Sequence, residues 1–318
     1  MTERAGNRGG GSARHKDMQP HRTIALIIAL LLVAAACGDS DGEDQEATAT
    51  DEGPAPAPTV DFDRLQPSDV LVEIDTTPGL VPEINRARAF PELVLFGDGE
   101  VVVDHTDTDA EDLPEVPELV TATLDEDQAQ AVVDEVYGVL GAEVGDLPVT
   151  ELPTTTLTVT VGSHTRALDV YGLGFDEDIS DEQADAREEV QDVIDDVVDL
   201  EDFLDGVELE PFEPQGWLVV TEFTEDSPPS GPGEADALLL AELPLAPGLA
   251  ATEEEPLACT ELRGEEARDF VDEIVSGGDI VNNRSTFFEV EDRTVRLALR
   301  PVLTPGDSCA DIAGAVER

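Results

Sequence analysis

With 74 acidic side chains against 17 basic ones in 318 residues, this chain can fold only where its carboxylates stay in water and its apolar residues find one another. A formal net charge of -57 sets like charges against each other in any compact state. Such a field repels phosphates, so DNA or RNA binding, which rests on Lys and Arg neutralising the backbone, is excluded. Attachment to anionic lipid through a basic patch is excluded on the same ground. Hydrophobic residues still make up 40% of the chain. Val, Leu and Ile are dense after residue 68, so a core forms despite the charge.

Five bases (Arg4, Arg8, Arg14, Lys16, Arg22) and two acids (Glu3, Asp17) precede residue 37, which leaves 72 acids and 12 bases beyond it. Lys16 is the only lysine. Many acids with almost no lysine is the composition expected of a secreted protein in saline or alkaline surroundings, where salt screens the self-repulsion.

Residues 24–36 read Ile-Ala-Leu-Ile-Ile-Ala-Leu-Leu-Leu-Val-Ala-Ala-Ala, without a charge, directly before Cys37. A basic segment, a short apolar run and small residues at a cut site make an export signal. The run is too short to span a bilayer, which takes about 20 residues. Ala34-Ala35-Ala36-Cys37, followed by Gly38, resembles the lipobox of bacterial lipoproteins, with Ala34 where that family usually has Leu or Val. The resemblance covers about residues 1–60 and is to exported lipoproteins of uncharacterised function common in high-GC Gram-positive bacteria. It implies removal of residues 1–36, diacylation of Cys37, and a place on the outer face of the cell membrane held by palmitate-type chains. The alternative is an ordinary secretory signal that leaves Cys37 free. Residues 37–66 are Asp-, Glu-, Ala- and Pro-rich, ending in Gly-Pro-Ala-Pro-Ala-Pro at 53–58, and are expected to form an acidic stalk.

From residue 67 onward the pattern is α+β: antiparallel sheets with packed helices, in two modules, 67–210 and 211–318. Strands are expected at 70–74, at 92–96 and 100–104 around Gly97-Asp98-Gly99, at 155–161 and 165–171 around Gly162-Ser163-His164, and at 217–223. A helix over 126–140 has Asp125 and Gln128 as a capping pair, and a longer one over 180–204 has Ser180 and Gln183. A helix near 265–275 leads to a hairpin, 286–290 and 294–300, turned at Glu291-Asp292. Helix, strand, turn, strand thus occurs twice, with a match too short to separate duplication from coincidence of architecture.

Beyond Cys37 only Cys259 and Cys309 remain, an even pair in an exported protein, and a disulfide between them would staple the ends of the second module. No nucleophile elbow, phosphate loop or zinc motif is present, and Ser163 beside His164 is more simply a hairpin turn. Asp107, Asp109, Glu111 and Glu118 have the spacing of calcium-loop ligands, but Asp112 stands where the loop requires Gly and Pro114 and Pro117 interrupt it. What remains is weak Ca2+ or other divalent-cation binding, against a solvated acidic loop. Residues 176–189, eight acids with Arg187, read as a solvated helix start. Arg296 and Arg300 share one face of a strand and are expected to pair with local carboxylates, the competing reading being an anion-recognising strip.

These readings converge on a membrane-anchored extracytoplasmic lipoprotein: a non-catalytic binding or interaction module of the cell envelope, partnered by the membrane through Cys37 and by an unidentified envelope protein or ligand. The alternatives are a hydrolase of envelope polymers that uses carboxylates of raised pKa in a cleft, and a divalent-cation binder.

Overall fold

The computed structural model describes residues 56–106, 116–176, 178–224, 241–242, 250–276, 286–290, 293–304, 306–310 and 312. Its fold is α+β, with helices on two largely antiparallel sheets. The first sheet holds β1 (Val70–Thr77), β2 (Leu93–Phe96), β3 (Glu100–Asp104), β4 (Leu119–Thr123), β5 (Thr154–Val161), β6 (His164–Tyr171) and β7 (Glu210–Pro211). Their order is β6-β5-β1-β2-β3-β4-β7, with neighbours antiparallel throughout. The second holds β8 (Gly216–Thr224), β9 (Ala241–Glu242), β10 (Leu257–Arg263), β11 (Thr286–Val290) and β12 (Arg293–Pro301), ordered β10-β8-β12-β11-β9, with β9 and β11 parallel. The chain passes from one sheet to the other between Pro211 and Gly216, and both belong to one compact unit, Glu52–Arg318.

Two helices cover one face of the first sheet: α2 (Glu126–Val139) and α3 (Asp181–Val198). Both expected capping boxes are present, Asp125 with Gln128 and Ser180 with Gln183, and satisfy amide groups that a helix start otherwise leaves open. Val132, Val133 and Val136 of α2 and Val190, Ile194 and Val197 of α3 meet Ile74, Leu93, Leu95 and Leu157 of the sheet. Each such side chain contributes about 1.5–3 kcal/mol by leaving water, so this layer is the main core. The helix expected over 180–204 breaks at Asp199, and its last turn continues separately as α4 (Leu200–Phe203).

The folded region begins before residue 67. Val60 is buried, Phe62 and Leu65 pack on the main core, and the Val60 amide donates to Gln130 Oε1 at 2.8 Å. The end of the expected stalk therefore lies against α2, because it carries apolar residues that an extended spacer lacks.

Several elements are not visible in the sequence pattern, among them β4, β10 and a six-residue helix, α1 (Glu83–Arg88). Six residues are too few to display a helical period. Although α1 lies between β1 and β2 in sequence, its buried face goes to the second sheet, where Ile84 and Ala87 pack with Leu218, Val220, Ala298 and Ile312. The opposite face of that sheet is covered by α5 (Gly264–Ser276), through Ala267, Phe270 and Ile274. Cys259 on β10 and Cys309 beyond β12 form the expected disulfide, their Cα atoms 5.5 Å apart.

The repeated order of helix and hairpin is not repeated in the pairing. After α2 the first strand, β5, joins its sheet through β1, whereas after α5 the second strand, β12, joins through β8. A copied unit would dock by the same strand, so the similarity lies in element order alone.

Candidate functional site

Interior strand β1, flanked by β2 and β5, places two carboxylates where a sheet ordinarily keeps apolar side chains. Val72 and Ile74, both 0% exposed, point into the core under α2, so alternation sends Glu73 and Asp75 to the other face. On that side α1 brings Arg86 and β12 brings Arg300, and the four charges line a cleft of about 370 Å³. Thr77, Pro78, Ala89 and Pro91 complete its walls, so the cleft lies where the first sheet, α1 and the second sheet meet.

Gly79, next to Pro78, is required by a close approach. A Cβ there would stand 2.1 Å from the Glu151 carbonyl oxygen, and Glu151 itself has φ of 76°, a left-handed conformation that side chains disfavour. The loop closing this end of the cleft is therefore held against the loop before β5.

Burial raises the pKa of Glu73; Asp75 and Asp307 raise it further, and Arg300 offsets part of the effect. Burial likewise raises Asp75, against Arg300 and hydrogen bonds from the Thr77 side chain and Thr76 backbone. Arg300 is held by Asp307, Nη2 to Oδ1 at 3.3 Å, and its Nε is buried without an acceptor among the described residues. Asp307 is fixed in turn by the amides of Leu303 and Thr304, at 2.9 and 2.7 Å. Arg296, on the same face of β12, pairs with Glu222. Both arginines thus have the local carboxylates expected of them.

A second pair of partly buried acids lies on β3 and just before β2. Glu92 accepts from Thr76 Oγ1 at 2.6 Å, and Asp104 accepts from the Thr106 amide at 3.0 Å. Burial raises the pKa of both, and these hydrogen bonds lower it in part. Each lies within the sheet's hydrogen-bonding scheme rather than on the cleft.

Of the residues singled out by sequence, Cys37 and the ligand-spaced Asp107, Asp109 and Glu111 fall outside the described residues. Glu118 is described at the foot of β4, where its amide donates to Thr106 Oγ1 at 2.9 Å and its carbonyl accepts from the His105 amide at 2.8 Å. Among the described residues no group of three or more His, Cys, Asp or Glu side chains is placed to hold a metal ion. Ser163 and His164 form the exposed β5–β6 turn, with Gly162 at φ of 61°. Comparison with protein-family models, curated proteins and solved structures finds no match.

Glu73, Asp75 and Arg86 are not distinguishable in the sequence, where 74 acids make any chosen pair arbitrary. The usable signal is parity: Glu73 and Asp75 alternate with Val72 and Ile74. Its meaning depends on β1 being interior and on α1 crossing to the other sheet, and neither is a local property.

Proposed function

We propose that this protein is a lipid-anchored, extracytoplasmic lipoprotein whose folded part is a non-catalytic binding module of the cell envelope, with the cleft between β1, α1 and β12 as its ligand site. The observation that carries the reading is the cleft's lining: two carboxylates and two guanidiniums converge there from three separate elements. Concave sites with a few convergent polar groups on an apolar wall are the usual form of a small-molecule site. The anchor follows from the lipobox-like residues and Cys37, because two acyl chains at about 0.8 kcal/mol per buried methylene hold a protein at a bilayer that repels its charge.

Two measurements test this reading. A palmitate analogue fed to producing cells is expected to label the wild type and not Cys37→Ala; label surviving that substitution removes the anchor. Thermal-shift screening of the full-length protein against small polar metabolites is expected to find compounds that stabilise the wild type and not the Glu73→Gln, Arg86→Gln double variant. Equal shifts in both proteins would place the site elsewhere.

Burial raises the pKa of both Glu73 and Asp75, which favours a second reading, a hydrolase that uses them as its carboxylate pair. Cell-wall glycan incubated with the wild type distinguishes the two: new reducing ends that disappear with Glu73→Gln would establish hydrolysis.

A further inference from the structure

The cleft's four charges are not equally engaged. Asp75 is hydrogen-bonded by Thr77 and the Thr76 backbone, and Arg300 is paired with Asp307. The side chains of Glu73 and Arg86 make no hydrogen bond with any described residue, although both are partly buried and line the same space. One acceptor and one donor group, of opposite sign, are thus left open on two elements that line the cleft, β1 and α1, beside Pro78, Ala89 and Pro91.

We infer that the cleft binds a small zwitterion of the α-amino-acid type, its ammonium on Glu73 and its carboxylate on Arg86. The inference rests on the cleft being the ligand site. A lone cation would match Glu73 but meet Arg86 and Arg300. A lone anion would meet Glu73, Asp75 and the negative field of the whole molecule. A zwitterion satisfies both open groups, and having no net charge it is neither drawn in nor expelled by that field. Arg86 presents a planar fork suited to a carboxylate, and Glu73 accepts N–H bonds, so each end has a chemically matched partner. The volume of about 370 Å³ is at the small end of ligand sites and suits a single amino acid rather than a polymer.

Calorimetry with the full-length protein tests this, using free α-amino acids from glycine to leucine as probes. For the best binder, its decarboxylated amine and its deaminated acid serve as matched controls; for valine these are isobutylamine and 3-methylbutanoate. At least one amino acid is expected to bind saturably, with both controls weaker by about tenfold or more, since each lacks a charged hydrogen bond. Glu73→Gln and Arg86→Gln are each expected to weaken the amino acid by a similar factor. Amino-acid affinity is expected to change little between about 0.1 M and 1 M NaCl, while that of the amine falls. An amine or acid that binds as tightly as the amino acid, and still responds to these substitutions, overturns the ligand class and leaves the cleft as the site. Failure of every amino acid to bind also overturns the class. Binding unaffected by either substitution overturns both the class and the site.

Discussion

Arg187 departs furthest from the reading of its own surroundings. It is the one base in a run of acids, yet it is 3% exposed, and its hydrogen bonds among the described residues go to carbonyl oxygens rather than carboxylates. Its Nε donates to the Val144 carbonyl at 2.7 Å, Nη1 to Tyr171 and Gly172 at 3.1 and 3.0 Å, and Nη2 to Gly145 and Tyr171 at 3.2 and 3.1 Å. Burial lowers its pKa and Asp146 offsets part of that, while the carbonyl dipoles take the place of water around the charge. One guanidinium thus ties α3 to the end of β6 and to the loop after α2. Lysine, a compact charge without the planar fork, cannot serve four carbonyl acceptors through five hydrogen bonds, so Arg187→Lys is expected to destabilise by about 3 kcal/mol in urea unfolding. A change below the error of that measurement would show the network to be dispensable. The residue was legible after all: Arg187 stands at helical spacing from Val190, Ile194 and Val197, so the face it occupies is the buried one. Glu73 offered no such local clue.

At the scale of elements, what could be read was what is local. Capping boxes, alternation and glycine turns act over a few residues, and so α2, α3 and the two hairpins of the first sheet lie where the pattern put them. Strand order does not act locally, and β1 gives no sign in its own residues that β5 will pair beside it or that α1 will leave for the other sheet. The disulfide belongs to this scale as well. Cys259 and Cys309, 50 residues apart, join β10 to the segment after β12. In the chain-entropy model closing such a loop contributes about 4 kcal/mol, mainly by restricting the unfolded chain. Cys259→Ala with Cys309→Ala is therefore expected to lower Tm by several degrees, with earlier hydrogen exchange in β8, β10 and β12 than in β1 to β3. Uniform loss of protection across both sheets would contradict a local staple.

Across the whole molecule, charge sets how stability responds to solvent. Glu73, Asp75, Glu92, Glu100 and Asp104 all have pKa values raised in the fold, first by burial. The folded state therefore holds protons more tightly than the unfolded chain. The stability these groups confer is complete below their ordinary carboxylate values and is lost as pH rises through the raised ones. Acidification from neutral pH to about 5 is accordingly expected to raise Tm at low salt. Added NaCl at pH 7 is expected to raise it too, because screening relieves repulsion among the unpaired surface acids. Thermal melts over a grid of pH and salt check both; maximal stability at neutral pH and low salt would contradict both. Glu222 and Asp307, paired with Arg296 and Arg300, bind through charge and are the places where strong salt works in the opposite sense.

The crossing of α1 has a consequence for how the molecule is made. A polypeptide is produced from its amino end, so Ile84 and Ala87 exist long before Leu218, Val220 and Ala298, the residues that cover them. Until those strands arrive, α1 has no place to rest, and Glu73 faces neither Arg86 in its final position nor Arg300. The cleft is thus among the later features to come into being, since it closes only when β12 pairs beside β8. A copy ending before β12 would carry both β1 carboxylates and still lack Arg300 and the cleft wall it forms.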